Sequence, residues 1–284
     1  MPARLNAFIS FDFEGMSAVS SWREIKKDSS SLQRLQMLAT DEVNATIRGI
    51  KRAHKHVGDI TVCDSHAAGE NLLIERLEKG VYLTKGSPRN YYMVEGINEN
   101  YDILFFIGYH AMVGTKRALM DHSYSSSSIY NIKVNGKYVG ETEINAAVAG
   151  HHGVPLGLVS GDDQLIKEVK KFFGAYVETV ITKYGISRHA AKCRHPADVQ
   201  EELENKAFKA VKKVKKLKPF TFKRPIKAEL EVVQSLIGDV VELIPGLKRV
   251  ETRRFSFTTK DTLEFYRVLR LICNLGMHAT TNLT

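Results

Sequence analysis

Residues 5–14 read Leu-Asn-Ala-Phe-Ile-Ser-Phe-Asp-Phe-Glu, an uncharged and mostly apolar run that ends in two acids. The pattern recurs at residues 60–66, Ile-Thr-Val-Cys-Asp-Ser-His, and at residues 103–110, Ile-Leu-Phe-Phe-Ile-Gly-Tyr-His. Short apolar runs separated by helical stretches are typical of buried parallel strands. Because the carboxyl ends of such strands form the ligand-binding edge of an α/β sheet, we predict a site at this edge.

The pattern between and after these runs predicts the rest of the fold. A long helix is expected over residues 31–56, a short one near 72–77, and a hairpin over 132–139 around Asn135-Gly136. A strand at 177–181 is expected to complete the sheet, and one strand is expected at 249–257. We predict an α/β protein, a mostly parallel sheet flanked by helices, with a smaller C-terminal α+β subdomain. The predicted division is residues 1–190 for the metal-binding catalytic domain and 191–284 for the subdomain.

Composition restricts the class of protein. The chain has 284 residues, of which 43% are hydrophobic and 26% charged, as in ordinary soluble globular proteins. No stretch approaches the roughly 18 apolar residues of a membrane span, and the acids that follow the first run argue against a signal peptide. Three cysteines, far apart and odd in number, form no disulfide framework, so a reducing cytoplasm is expected.

The positive charge is concentrated in the second half of the chain. The net charge is +9; residues 151–284 contain 24 Lys and Arg against 15 Asp and Glu, while residues 1–150 contain 17 of each. Ten basic residues and no acid lie in what we call the lysine segment, residues 206–227. Its spacing predicts an amphipathic helix with Phe208, Val211 and Val214 facing inward. A nucleic-acid patch is possible, but a solvated helix face is favoured because interleaved aromatic residues are missing.

The predicted strand ends deliver candidate metal ligands. Acids at i and i+2 of a strand point to one face, so Asp12 and Glu14 can serve the same site. His66 and His110 lie at the ends of the other two runs. A further acid lies at the start of the helix after the hairpin, and the spacing does not show whether it is Glu141 or Glu143 that reaches the site. The predicted ligands are Asp12, Glu14, His66, His110 and Glu141.

Two imidazoles and three carboxylates suit zinc or a similar divalent ion. Three carboxylates leave one ion's charge of +2 overcompensated but two ions' +4 nearly balanced, which favours two metal ions. Two-metal hydrolases lower the pKa of bound water from about 15.7 towards 7. His122 lies in a loop that can reach over the site, so it is the candidate acid/base residue.

At this point the motifs resemble a known family, the zinc-dependent D-aminopeptidases of bacilli. No single motif is diagnostic, but their order and approximate spacing agree over nearly the whole chain. The matching motifs are Ser10-Phe11-Asp12-Phe13-Glu14-Gly15, Thr40-Asp41-Glu42-Val43-Asn44, Asp64-Ser65-His66, Gly108-Tyr109-His110-Ala111, Met120-Asp121-His122-Ser123, Val139-Gly140-Glu141 with Asn145, and Gly161-Asp162-Asp163.

The resemblance implies a specific site and assembly. Asp12 would bridge two zinc ions, with Glu14 and His110 on one ion and His66 and Glu141 on the other. The position of His122 is the family's proposed catalytic residue, and the family implies a ring-like homo-oligomer of ten subunits. One departure is Asp121, where a small residue is expected; an adjacent acid predicts a raised pKa for His122 and leaves its role as nucleophile, base or acid open.

The sequence thus predicts a cytoplasmic binuclear zinc aminopeptidase or amidase that removes N-terminal residues, D-configured by resemblance, from short peptides or amides. No membrane partner is expected and nucleic acid is disfavoured. Two alternatives stay open: a two-metal phosphoesterase, whose ions need the same ligand types, and a nucleic-acid-binding protein that uses the lysine segment.

Overall fold

The computed structural model describes residues 4–282 of the chain. Twelve strands and six α-helices lie within this range. The strands are β1 Leu5–Phe11, β2 Val57–Asp64, β3 Tyr82–Thr84, β4 Ile103–Tyr109, β5 Ile129–Val134, β6 Lys137–Tyr138, β7 Leu156–Asp162, β8 Glu178–Ser187, β9 Ala190–Cys193, β10 Ile226–Val232, β11 Lys248–Glu251 and β12 Arg254–Thr259. The helices are α1 Leu32–Ala53, α2 Glu141–His151, α3 Asp163–Phe173, α4 Pro196–Lys212, α5 Ser235–Val241 and α6 Thr262–Asn282.

The first sheet has the strand order β3-β2-β1-β4-β7-β8-β9. In this sheet the neighbouring strands β3, β2, β1, β4, β7 and β8 pair in parallel, and only β9 runs antiparallel to its neighbour. The prediction of a mostly parallel α/β sheet is confirmed. The predicted last strand at 177–181 is wrong in extent, because β8 continues to Ser187 and turns back into β9.

Alternation along the central strands distributes their side chains between two layers. Ile9 and Phe11 of β1, with Phe105 of β4, pack into the apolar layer under α1 and α4. Phe8 and Phe106 face the opposite layer, which includes α2, α6 and the second sheet. Because both faces of these strands are covered, the runs are apolar throughout, as a buried parallel sheet requires.

Strand order decides which loops meet at the carboxyl edge of the sheet. β1 lies between β2 and β4, with Phe11 opposite both Asp64 and Ile107. The residues that follow these positions therefore leave the sheet side by side. This register brings together Asp12, His66 and His110, which are far apart in sequence.

The second sheet is antiparallel, with the order β11-β12-β10-β5-β6. The hairpin predicted at Asn135-Gly136 is present as β5 and β6. The single strand predicted at 249–257 is wrong, because a turn at residues 252–253 divides it into β11 and β12. The helix predicted near 72–77 is only a short 3-10 turn, Ile74–Arg76, and α5 was not predicted.

The division of the chain at residue 190 stays a prediction. The second sheet contains β5 and β6 from the first part of the chain, and α4 from the second part packs along α1. None of the helices within residues 4–282 is long and apolar enough to cross a membrane.

Candidate metal centre

Five side chains converge at the carboxyl edge of the first sheet, and we call them the strand-end cluster: Asp12, Glu14, His66, His110 and Glu141. His66 Nδ1 lies 2.8 Å from Glu14 Oε2 and 3.5 Å from Asp12 Oδ1. His110 Nε2 lies 3.4 Å from both Asp12 Oδ2 and Glu141 Oε1. The structure therefore brings together all five residues that the sequence singled out.

The closest contacts divide the strand-end cluster into two halves. Glu14 lies beside His66 and Glu141 beside His110, whereas the resemblance implied the opposite partners. Donor atoms of Asp12, Glu14 and His110 also lie within 4.8 Å of one another, and so do those of His110, His122 and Glu141. Asp12 is common to both halves, because its two oxygens face different imidazoles.

Two buried atoms of the cluster have no hydrogen-bond partner within the described chain, Asp12 Oδ2 and His110 Nε2. Asp12 is 2% exposed and His110 3% exposed, so water at the protein surface does not solvate them. Buried polar atoms in proteins are nearly always paired, and unpaired ones are costly. These two atoms lie 3.4 Å apart, and a carboxylate oxygen and an imidazole nitrogen so close together fit a bound cation of the zinc type.

Two glycines allow the strand ends to approach this closely. Gly108 has φ +73°, and a Cβ there would lie 2.1 Å from the backbone oxygen of Asp12. A Cβ on Gly15 would lie 1.7 Å from the backbone oxygen of Tyr109. The Gly15 amide donates to Gly108 O at 2.7 Å, which fixes the turn that carries Glu14. No other residue type fits either position.

Backbone contacts orient two imidazoles. His110 Nδ1 lies 3.0 Å from Ala111 O and His122 Nδ1 lies 2.8 Å from Met120 O. A carbonyl accepts only from a protonated nitrogen, so Nδ1 carries the proton and Nε2 of each ring faces the carboxylates. Such contacts are the usual means of presenting a ligand nitrogen to a metal.

Acids beside the candidate ligands have supporting roles. Asp64, which precedes His66 by two residues, accepts from the backbone amides of Asn71 and Leu72 at 2.6 and 2.8 Å and so holds the loop that presents His66. Glu143 accepts from the Gly140 amide at 2.8 Å, inside the first turn of α2. The structure thus separates two acids that spacing could not: Glu141 reaches the cluster and Glu143 caps its helix.

The pKa values show how closely the charges are packed. Burial raises the pKa of Asp12 to about 7, and the charge of Glu14 adds to this effect. Burial alone would raise the pKa of Glu14, but His66 outweighs it and the pKa lies well below its usual range. The same competition, with Glu14 as the partner, raises the pKa of His66 to about 10. Protons on the imidazoles balance the carboxylates here, and a bound cation would replace them.

His122 stacks on His110, with ring centroids 4.1 Å apart, and its Nε2 lies 3.8 Å from Glu141 Oε1. The raised pKa predicted from Asp121 is wrong, because burial and then the charge of His110 lower the pKa of His122. Asp121 is engaged elsewhere: it pairs with Arg188 at 2.9 Å and accepts from the Gly114 amide at 2.7 Å.

Sequence reasoning missed two residues that position Glu14. Trp22 Nε1 donates to Glu14 Oε1 at 2.9 Å, and its ring contacts His122 edge-on. Lys183 is buried and donates to the backbone oxygens of Glu14, Met16 and Val19, which holds the loop after β1. Trp22 was conspicuous as the only tryptophan. Lys183 gave no signal, because a lysine in a strand pattern looks like a surface residue.

A cavity of about 480 Å³ opens above the strand-end cluster. Asp12, Glu14, His66 and Glu141 line its floor together with His122. The other walls are rich in hydroxyl and amide groups from residues 125–127 and from α6, which contributes Arg270 and Asn274. A cavity of this size accommodates a small ligand rather than a folded protein.

The lysine segment lies away from this cavity. Val211 is buried, but Phe208 and Val214 are only partly buried, so the predicted inward face is correct in part. Lys206 and Lys213 pair with Glu178 at 2.8 and 2.6 Å. Most other lysines of the segment are exposed, as expected for a solvated helix face.

Comparisons with known proteins give matches over nearly the whole chain. A family model described as D-aminopeptidase matches residues 5–271. The D-aminopeptidase of Bacillus subtilis (strain 168) is 30% identical over 278 residues, which is 97% of this chain and 99% of that protein. Among solved structures, the Zn-dependent D-aminopeptidase DppA from Bacillus subtilis, described as a self-compartmentalizing protease, is similar with a TM-score of 0.91. That match has 30% identity and covers 96% of this chain and 98% of the other.

Proposed function

The chain belongs to the D-aminopeptidase family, and from this premise we propose that it is a two-zinc aminopeptidase that removes N-terminal D-amino acids from short peptides and amides. The relative of known structure is named as Zn-dependent, and the two proteins share their fold over almost their full lengths. The observation that carries the proposal is the pair of buried atoms Asp12 Oδ2 and His110 Nε2, which have no hydrogen-bond partner in the described part of the chain and lie 3.4 Å apart within a cluster of nitrogen and oxygen donors.

Two ions fit the strand-end cluster better than one. Its three carboxylates would overcompensate a single divalent charge, whereas two ions leave a small positive remainder. Each oxygen of Asp12 faces a different histidine, 3.5 Å from His66 and 3.4 Å from His110, so Asp12 would be able to serve both ions. The five side chains of the cluster would hold the two ions, and donor atoms of Asp12, Glu14 and His110, which lie within 4.8 Å of one another, would suit one of them.

Zinc at this position would polarise the scissile carbonyl and lower the pKa of a bound water molecule. The chain supplies the remaining functions. Met120 O holds Nδ1 of His122, so His122 presents its other nitrogen, Nε2, at the cavity floor. Nε2 can therefore accept a proton and return it to the departing amine. Trp22 and Lys183 hold Glu14 in position.

The proposals for the oligomeric state and the cellular location rest on two separate observations. DppA is described as self-compartmentalizing, and we propose a homo-oligomer of ten subunits for this chain. Light scattering of the purified protein would then give a mass near ten times 31.9 kDa, and a monomer would refute this part. We also propose a cytoplasmic location, which suits the three free cysteines.

The test of the proposed function joins a metal assay to a peptidase assay. The purified protein should bind two zinc ions per chain, release D-alanine from D-alanyl peptides, and lose this activity on chelation. His110→Ala should lose metal and activity together, while His56→Ala, which removes an exposed histidine, should change neither. Full activity and unchanged metal content in His110→Ala would refute the assignment, and hydrolysis of phosphate esters instead of peptides would favour the phosphoesterase alternative.

A further inference from the structure

Arg270 lines the cavity above the strand-end cluster, and the proposed chemistry gives it no role. It projects from the first half of α6 and lines the same cavity as Asp12, Glu14 and Glu141. Those three are the only acids among the lining residues, and all belong to the strand-end cluster. The cavity thus combines a floor of carboxylates and imidazoles that suits metal with an arginine on another wall.

The guanidinium of Arg270 has few partners of its own. Its Nε is buried without a hydrogen-bond partner in the described chain. One terminal nitrogen donates to Asn274 Oδ1 at a long 3.3 Å, and the group stacks 4.1 Å from the ring centroid of Tyr92. No carboxylate within residues 4–282 pairs with it, whereas Arg188 and Arg194 each lie against an acid.

An arginine in this condition suits an anionic ligand. The guanidinium group presents its donors in a planar fork that matches a carboxylate. A partly buried cation without a counter-ion is unfavourable, so the binding of an anion stabilises it. Stacking on Tyr92 fixes the plane of the fork, which reduces the conformational freedom that ligand binding must remove.

We propose that Arg270 binds the C-terminal carboxylate of a short peptide substrate whose first peptide bond lies at the strand-end cluster. This inference rests on the proposed function, since it assigns the other end of the same substrate. The hydroxyl groups of residues 125–127 and the amide of Asn274 lie in the same walls and can bind the peptide backbone. The substrate class is therefore di- and tripeptides with a free C-terminus, in preference to their amides or to longer chains.

The test compares matched substrates on matched variants of the zinc-loaded enzyme. D-alanyl-glycine carries the carboxylate, and D-alanyl-glycinamide lacks only its charge. In Arg270→Met, kcat/KM for the free acid should fall roughly 10- to 100-fold, mainly through KM, while that for the amide changes less than about twofold. Arg270→Lys should give an intermediate loss on the free acid.

Arg267→Met is the control, because Arg267 lies on the same helix, is exposed, and donates to Tyr91 outside the cavity. It should leave the ratio of acid to amide unchanged. An equal loss on both substrates in Arg270→Met would overturn the inference and leave Arg270 as a packing partner of Tyr92. Equal hydrolysis of the two substrates by the unmodified enzyme would also overturn it.

A binding experiment separates this inference from the proposed function. Reduced-amide analogues of the two substrates cannot be hydrolysed, and calorimetry would compare their affinities for the unmodified protein and Arg270→Met. Tighter binding of the acid, lost in the variant, supports the role of Arg270 even if no peptidase activity is found. Equal affinities refute that role even in an active enzyme.

Discussion

The strand-end cluster and the lysine segment are both groups of charged residues, but they differ in burial and in the partners of their side chains. The cluster is largely buried, and two of its atoms have no hydrogen-bond partner within the described chain. In the lysine segment the side chains are exposed or paired, as Lys206 and Lys213 are with Glu178, and its apolar side packs along α1. A group of charged residues in the sequence therefore indicates a functional site only where the folded chain buries the charged atoms and leaves some of them without a hydrogen bond. Such burial costs free energy, which a ligand can offset.

The largest expected effect distinguishes two neighbouring acids of α2. Glu141→Gln should lower kcat/KM by at least about 100-fold and reduce zinc content, because Glu141 contacts His110 in the cluster. Glu143→Gln keeps the acceptor for the Gly140 amide and should stay within a few-fold of the unmodified enzyme. Kinetics on a D-alanyl peptide with metal analysis checks the pair, and equal losses would break the distinction between cluster and surroundings.

The next prediction concerns a glycine substitution that disturbs the strand-end cluster through the backbone that supports it. Gly108→Ala places a Cβ 2.1 Å from Asp12 O at a φ of +73°, so we expect a loss of about 3 kcal/mol in the free energy of unfolding, together with activity. Gly80→Ala is the matched control: its φ is +77° with nothing within 4 Å, and only about 1 kcal/mol should be lost. Urea unfolding measures both, and equal losses would show that strand approach does not matter.

A smaller effect is expected where the cluster is only supported. Trp22→Phe removes the hydrogen bond to Glu14 but keeps an aromatic ring against His122. Zinc affinity or activity should fall roughly tenfold, as for other residues that orient a ligand. Metal titration and kinetics would measure the change, with Tyr176→Phe, at an exposed site, as the control. Unchanged zinc affinity and activity would mean that the hydrogen bond from Trp22 is not needed to position Glu14.

A pH experiment tests a partly buried carboxylate outside the cluster, Glu168, whose two oxygens accept hydrogen bonds from the Met112 amide and the Thr115 hydroxyl. Burial raises the pKa of Glu168 to about 8, and the charge of Glu143 adds to it. Because this folded-state pKa lies above the unfolded value near 4.3, the folded chain binds more protons between the two, and stability falls as pH rises towards 8. Glu168→Gln stays neutral and can still accept from the Met112 amide, so its stability should fall less between about pH 5 and about pH 9. Identical pH profiles from urea unfolding would contradict this.

The smallest effect is expected in the lysine segment. Hydrogen bonds from Lys206 and Lys213 outweigh the burial of Glu178 and lower its pKa, but the pairs are partly exposed. The double change Lys206→Ala and Lys213→Ala should cost below about 1 kcal/mol per pair and leave kcat/KM unchanged. Loss of activity, or salt-sensitive nucleic-acid binding that disappears in the variant, would reverse our view of this segment.

Much of the fold was predictable because local patterns carried it. Seven-residue apolar runs with charges only at their ends identify buried strands, and Asn135-Gly136 identifies a hairpin. The predictions failed where local signals are weak: the turn at 252–253 contains no glycine or proline, and β9 is a short edge strand whose pairing is made only in the sheet. The sequence could not distinguish Glu141 from Glu143, because both are acids in the first turn of the same helix. They differ only in the direction in which their side chains leave the helix, which residue type does not reveal.

The sequence by itself determined the kinds of donors, carboxylates and imidazoles, and their places at the ends of apolar runs, because strand periodicity and residue chemistry are local properties. Only the tertiary structure decided which donors meet. The order β2-β1-β4 places Asp12 between His66 and His110, and contacts of Trp22 and Lys183 across the chain hold Glu14. Arg270 joins the cavity from more than a hundred residues beyond Glu141, through the packing of α6 on α2. Such encounters follow from long-range packing, which no local pattern encodes.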